Sequence, residues 1–152
     1  MNNTQKSRQQ AENPMLLLSD QVCFPLYSAA NSVTRAYRPL LESLDLTYSQ
    51  YLVMLLLWEK DGASVKDLGT RLYLDSGTLT PLLKRLESKG FVVRQRSEED
   101  ERVRVLNLTE QGRALQQAAK SVPGNMLCKI DLEVDELASL KRLCDKVLSN
   151  LT

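Results

Sequence analysis

The stretch from Ser64 to Leu108 restricts the fold most. Ser64 and Asp67 have the spacing of a helix cap and open a short helix to about Leu72. Leu74-Asp75-Ser76-Gly77 makes a turn, and a second helix follows to Ser88-Lys89-Gly90, where Gly90 can take the left-handed stop conformation. Pro81 would break the middle of that helix. With Thr78 as N-cap, Pro81 falls in the first turn, where its missing N–H costs nothing. Two β-prone runs, FVVRQR from Phe91 and VRVLNL from Val103, flank the acidic stretch Ser97 to Glu101 and form a hairpin. Two short helices joined by a tight turn and followed by a hairpin make a winged helix-turn-helix.

Helical patterns enclose this segment. Leu18, Val22, Leu26, Ala29, Val33, Ala36, Tyr37, Leu40 and Leu44 recur at steps of three or four, which predicts a long first helix from Leu16 to Leu44, bent by Pro25 and Pro39. Thr47 and Gln50 have capping-box spacing before a nearly all-apolar helix, Tyr51 to Trp58, ending near Asp61-Gly62. Thr109 caps a helix to about Val122, which Pro123-Gly124-Asn125 interrupts, leaving a mobile segment there. A last helix, Val134 to Leu151, puts Leu137, Leu140, Cys144, Val147, Leu148 and Leu151 on one stripe. Residues 1–14 are polar and read as a frayed tail. The expected fold is therefore mainly α with a small β-hairpin wing: one domain over 15–152, with the winged helix-turn-helix at 47–108 between helices at 15–46 and 109–152.

Composition removes several function classes. The longest apolar run, Leu52 to Trp58, is far short of the ~18 residues that span a bilayer, so no membrane partner is expected. The polar start has no apolar signal region, which makes the cytoplasm the expected compartment and keeps the three cysteines reduced. With no histidine, Ser-His and Cys-His nucleophiles and His-containing zinc sites are excluded, and Cys23, Cys128 and Cys144 lack CxxC spacing. Neither a metal nor a cofactor is expected.

The net charge is only +1, so any basic footprint is local. Between Ser64 and Arg104, nine Lys and Arg face seven acids, four of them in the hairpin loop; without that loop, nine against three leaves +6. The amino end of a helix in a major groove presents short polar side chains to base edges, a task suited to Ser76, Thr78 and Thr80, beside Pro81. Lys84 and Arg85, a turn further on, suit phosphates, as does Arg104 in the wing. Asp100 can hold Arg102 and aim its guanidinium at the minor groove. The same residues also fit a solvated basic face on a protein-binding module, with Asp100 and Arg102 an ordinary exposed ion pair.

The segments DSGTLTPLLKRLESKGFVVRQR and DERVRVLNLTEQG resemble the recognition helix and wing of the MarR family of bacterial transcription factors, including the D-x-R wing and the L-T-x-x-G entry to the next helix. The resemblance covers about residues 18–150. It implies a homodimer held by the first and last helices, binding double-stranded, pseudo-palindromic operator DNA, and not an enzyme.

The segment VCFPLYSAANSVTRAYRPLLESLDLTYSQYLVMLLLWE further resembles the organic-hydroperoxide-sensing branch of that family, OhrR, through Cys23, Tyr27 and Tyr37. This implies a repressor whose Cys23 is oxidised by organic hydroperoxide, with tyrosine hydroxyls bonding its thiolate, controlling a gene for a peroxide-reducing enzyme. Tyr27 is one turn from Cys23. Tyr37 lies fourteen residues on, ~21 Å along a helix, so it can meet Cys23 only from the other subunit. Cys128 matches in placement the second cysteine that some such sensors use to form an intersubunit disulfide, whereas others use a small thiol. Without the resemblance, Cys23 reads as a small core residue, as Cys144 still does. Two further readings stay open: a repressor relieved by a phenolic or aromatic ligand, and a thiol peroxidase working through Cys23 and Cys128.

Overall fold

The computed structural model describes residues 16–152; the expected tail over 1–14 lies outside them. In chain order the helices are α1 (Cys23–Leu41), α2 (Tyr48–Glu59), α3 (Val65–Leu72), α4 (Ser76–Ser88), α5 (Glu110–Ala119), α6 (Val122–Ile130) and α7 (Val134–Leu151). The strands are β1 (Ala63–Ser64), β2 (Val92–Arg96) and β3 (Arg104–Leu108), with short 3-10 turns at Leu18–Asp20 and Glu42–Leu44. The described chain divides into two compact units at Ala36 and Tyr37. Among the described residues no helix is long and apolar enough to cross a membrane.

In the first unit the long helix starts later than its periodicity suggested. Gln21 is extended, and α1 opens at Cys23 after the 3-10 turn. Pro25 explains this. A proline ring collides with the carbonyl four residues back, here that of Gln21, so Pro25 is tolerated only in a first turn. Pro39 is held in the last turn of the same helix.

The second unit contains the core. Leu41, Val53, Met54, Leu57, Leu68, Leu79, Leu83, Leu86, Val92 and Leu106 are almost fully buried there. Thr47 and Gln50 form the expected capping box, and Ser64 and Thr109 cap α3 and α5 through the backbone N–H groups of Asp67 and Gly112. Gly90, at φ 82°, ends the α4 region in the left-handed conformation as expected. The hairpin pairs Val92 with Leu108 through to Arg96 with Arg104, antiparallel throughout. Strand β1, unexpected from sequence because it spans two residues, pairs with the other side of β3.

Two proline readings are corrected. Asp75, not Thr78, is the N-cap of α4, because its carboxylate accepts the Thr78 N–H at 2.7 Å and starts the helix three residues earlier. Pro81 therefore lies in the second turn, and the Gly77 carbonyl goes without the donor a different residue 81 would supply. Pro123-Gly124-Asn125 does not interrupt a helix but lies within one. The break comes before it, and Pro123 sits in the first turn of α6, where proline is favoured.

Candidate nucleic-acid interface and redox residues

At the turn between α3 and α4, Tyr73 adopts a left-handed conformation and the Leu74 N–H reaches the Gly69 carbonyl at 2.9 Å, which folds α4 back against α3. Leu79, Leu82, Leu83 and Leu86 face inward from α4. The opposite face leaves Ser76, Thr78, Pro81, Lys84 and Arg85 exposed and Thr80 half-buried. These are the residues proposed from sequence, and the structure puts them on one helix surface.

The wing is tied to that helix. Glu87 Oε2 accepts the Arg94 N–H at 2.8 Å, and Glu87 Oε1 lies 3.8 Å from Arg94 Nε. At the tip, Asp100 Oδ1 accepts from both Arg102 N, at 3.0 Å, and Arg102 Nε, at 3.3 Å. The Arg102 side chain is nonetheless 92% exposed, so its guanidinium is held at the base and open at its end. Arg96 and Arg104 stand directly opposite each other across the strands, both exposed. Like charges in that register repel. Sequence reasoning omitted Arg96 because only the hairpin register reveals the pairing.

The residues assigned to redox chemistry are distributed differently. In the first unit, Cys23 is exposed at the first position of α1, with exposed Tyr27 one turn on. In the second unit, Cys128 is exposed on α6 and Cys144 half-buried on α7. Tyr37 joins a cluster that sequence reasoning missed: its ring centroid lies 4.5 Å from Tyr48 and 5.8 Å from Tyr51, with Tyr48 and Tyr51 6.5 Å apart. Burial raises the pKa of all three hydroxyls above the usual 10.0, and the phenols raise one another at Tyr37 and Tyr51. They are neutral hydrogen-bond donors at ordinary pH.

A helix-turn-helix with a capped second helix and an arginine-bearing wing defines a winged-helix transcription regulator of the DNA-binding class. The model of the transcriptional regulator SarA/Rot family matches residues 35–119, and the organic hydroperoxide resistance transcriptional regulator of Bacillus subtilis is 46% identical over 134 residues, 88% of this chain and 91% of that one. The chain belongs to the MarR family of transcription regulators, in its organic-hydroperoxide-regulator branch. Its relatives are regulators, not enzymes. Among solved structures it is similar to AbfR, a Staphylococcus epidermidis protein. Reduced AbfR bound to DNA is 36% identical at a TM-score of 0.74, covering 88% of this chain and 95% of that one. The disulfide form of AbfR is 30% identical at a TM-score of 0.64, covering 97% and 99%.

Proposed function

We propose that this chain is a homodimeric repressor that binds a pseudo-palindromic operator and releases it when organic hydroperoxide oxidises Cys23. The observation that carries this reading is a pair of exposed thiols, Cys23 and Cys128, on a winged-helix regulator frame. The thiolate of Cys23 attacks the peroxide, the O–O bond breaks, an alcohol leaves, and a sulfenic acid remains. Cys128 of the other subunit then displaces water from that sulfur as the disulfide forms. Tyr37 donates to the Cys23 thiolate from the partner, and Tyr27 from the cysteine's own helix.

Helix α7 supports the dimer. None of its eighteen residues is buried within one chain, and Leu140, Leu143, Val147, Leu148 and Leu151 are exposed along it. An apolar stripe of that length calls for a protein partner, and a second copy supplies an identical one. On DNA, Ser76, Thr78, Thr80 and Pro81 meet the major groove, Lys84, Arg85 and Arg104 meet phosphates, and Arg102, held by Asp100, enters the minor groove.

The test uses a duplex selected by the reduced protein from a random-sequence pool. Binding is measured before and after stoichiometric cumene hydroperoxide for wild type, Cys23→Ser and Cys128→Ser, with non-reducing gels alongside. Wild type is expected to lose the duplex and form a dithiol-reversible covalent dimer, Cys23→Ser to keep binding, and Cys128→Ser to form no covalent dimer. Release of DNA by oxidised Cys23→Ser refutes the reading.

A further inference from the structure

We propose that Lys89 is a positioning residue, a strut that couples the tyrosine-bearing start of α2 to the DNA-reading helix α4. The inference rests on the function proposed above and adds the route by which a change near the tyrosines reaches DNA.

Lys89 is the C-cap of α4, fixed in that helix's frame by its own N–H on the Arg85 carbonyl at 3.0 Å and by Gly90 N–H on Glu87 at 2.9 Å. Its side chain leaves the helix and crosses to the turn between α1 and α2. There Nζ donates to the Asp45 carbonyl at 2.6 Å and to Gln50 Oε1 at 2.9 Å, and lies 3.5 Å from the Asp45 carboxylate.

Both acceptors belong to structure that cannot shift quietly. Asp45 is a non-glycine residue at φ 53°, a left-handed conformation kept only where its surroundings hold it. Gln50 is 3% exposed, a polar residue buried in the core. Its Oε1 also accepts the Thr47 N–H at 3.1 Å, so Thr47 and Lys89 use both lone pairs of one oxygen. Gln50 lies between Tyr48 and Tyr51, which stack with Tyr37. Any displacement of the Thr47–Tyr51 turn that repositions these phenols must stretch the Lys89 bonds or carry Lys89 with it. Because α4 is a helix of thirteen residues, about 20 Å long, a pull on its C-terminal end moves Ser76 and Thr78 at the other.

The substitution that removes the strut is Lys89→Met, which keeps an apolar stem and leaves Gln50 Oε1 bonded to Thr47. Lys89→Arg retains donors that reach the same oxygens. Coupling between sites is reciprocal, so DNA binding must be felt at the turn even with no oxidant present. The first measurement is amide hydrogen exchange over residues 45–51 in the reduced dimer, with and without the duplex selected from the random pool. Wild type and Lys89→Arg are expected to gain protection there on binding, and Lys89→Met to gain none while its melting temperature stays close to wild type. The second is the ratio of oxidised to reduced dissociation constants: about 5–150-fold in wild type, the span usual for coupled sites, and close to unity in Lys89→Met although its covalent dimer forms normally. If Lys89 served DNA only as a phosphate partner, its removal would weaken both states equally and leave that ratio intact.

Equal protection of residues 45–51 in wild type and Lys89→Met overturns the strut. So does a wild type in which DNA leaves those amides unchanged. If exchange depends on Lys89 as expected but oxidation releases no DNA from wild type, the strut stands and the peroxide-sensing reading falls.

Discussion

Tyr48 illustrates how one side chain acquires its properties from position alone. It follows the Thr47 cap, half-buried between Tyr37 and Tyr51, and burial lifts its hydroxyl pKa above 10.0. The folded chain therefore holds the phenolic proton more tightly than the unfolded chain does. By linkage, the stability from this cluster is complete below the unfolded value near 10.0 and is lost as pH rises through the higher folded values. Thermal melts of wild type and Tyr48→Phe across that alkaline range should show a shallower decline in the variant, which has one fewer titrating group; parallel declines would refute the assignment. The family resemblance singled out Tyr27 and Tyr37, and helical periodicity added no link to Tyr48. Periodicity compares residues along one helix, whereas Tyr37 meets Tyr48 from the next helix across a turn.

At the level of elements, the wing and α5 are locked together around Gly112. Thr109 Oγ1 accepts the Gly112 N–H at 3.0 Å and donates to the Gly90 carbonyl at 2.6 Å, while the Gly112 carbonyl accepts from Trp58 Nε1 at 2.9 Å. A Cβ on Gly112 would overlap the Phe91 carbonyl oxygen and press on Leu108 Cδ2. The Phe91 carbonyl is backbone and cannot rotate aside as the Leu108 methyl can, so Gly112→Ala should cost about 1–3 kcal/mol, the usual range for overpacking. Urea unfolding checks this, and a variant of wild-type stability would mean that α5 can slide away from the sheet. Asp61 adds a second tie, accepting the Leu108 N–H at 2.8 Å and pairing with Arg113 at 3.2 Å. The caps at Thr47, Ser64 and Thr109, the Gly90 stop and the hairpin were legible in the sequence because each is a local pattern of two or three residues. Strand β1 was not, since its pairing with β3 joins residues over forty apart. The start of α4 was misplaced because avoiding a proline mid-helix outweighed a cap that Asp75 makes with one hydrogen bond.

For the molecule as a whole, charge distribution matters more than charge total. A net charge of +1 gives no long-range pull toward nucleic acid, and the acidic stretch Glu98 to Glu101 opposes it locally. The charges legible in the sequence left DNA binding and a solvated basic face both open. The fold adds what counting cannot: Arg102 is fixed at its base by Asp100, and Arg96 and Arg104 are forced into opposition by the hairpin register. That opposed pair is unfavourable in the free protein, and on the DNA-binding mode proposed above a phosphate between its members relieves it. In a dimer the arrangement occurs twice. Neutralised phosphates release counterions, so the slope of log K against log salt falls by about 0.9 for each phosphate of B-DNA that is no longer neutralised. Arg104→Gln, which frees one phosphate per protomer, should therefore reduce the magnitude of the slope by about 1.8 and weaken binding to selected and unrelated duplexes alike. Fluorescence anisotropy across a salt series measures both quantities. An unchanged slope with binding abolished only for the selected duplex would place Arg104 on a base instead, and an unchanged slope with unchanged affinity would take the base of the wing off the DNA altogether.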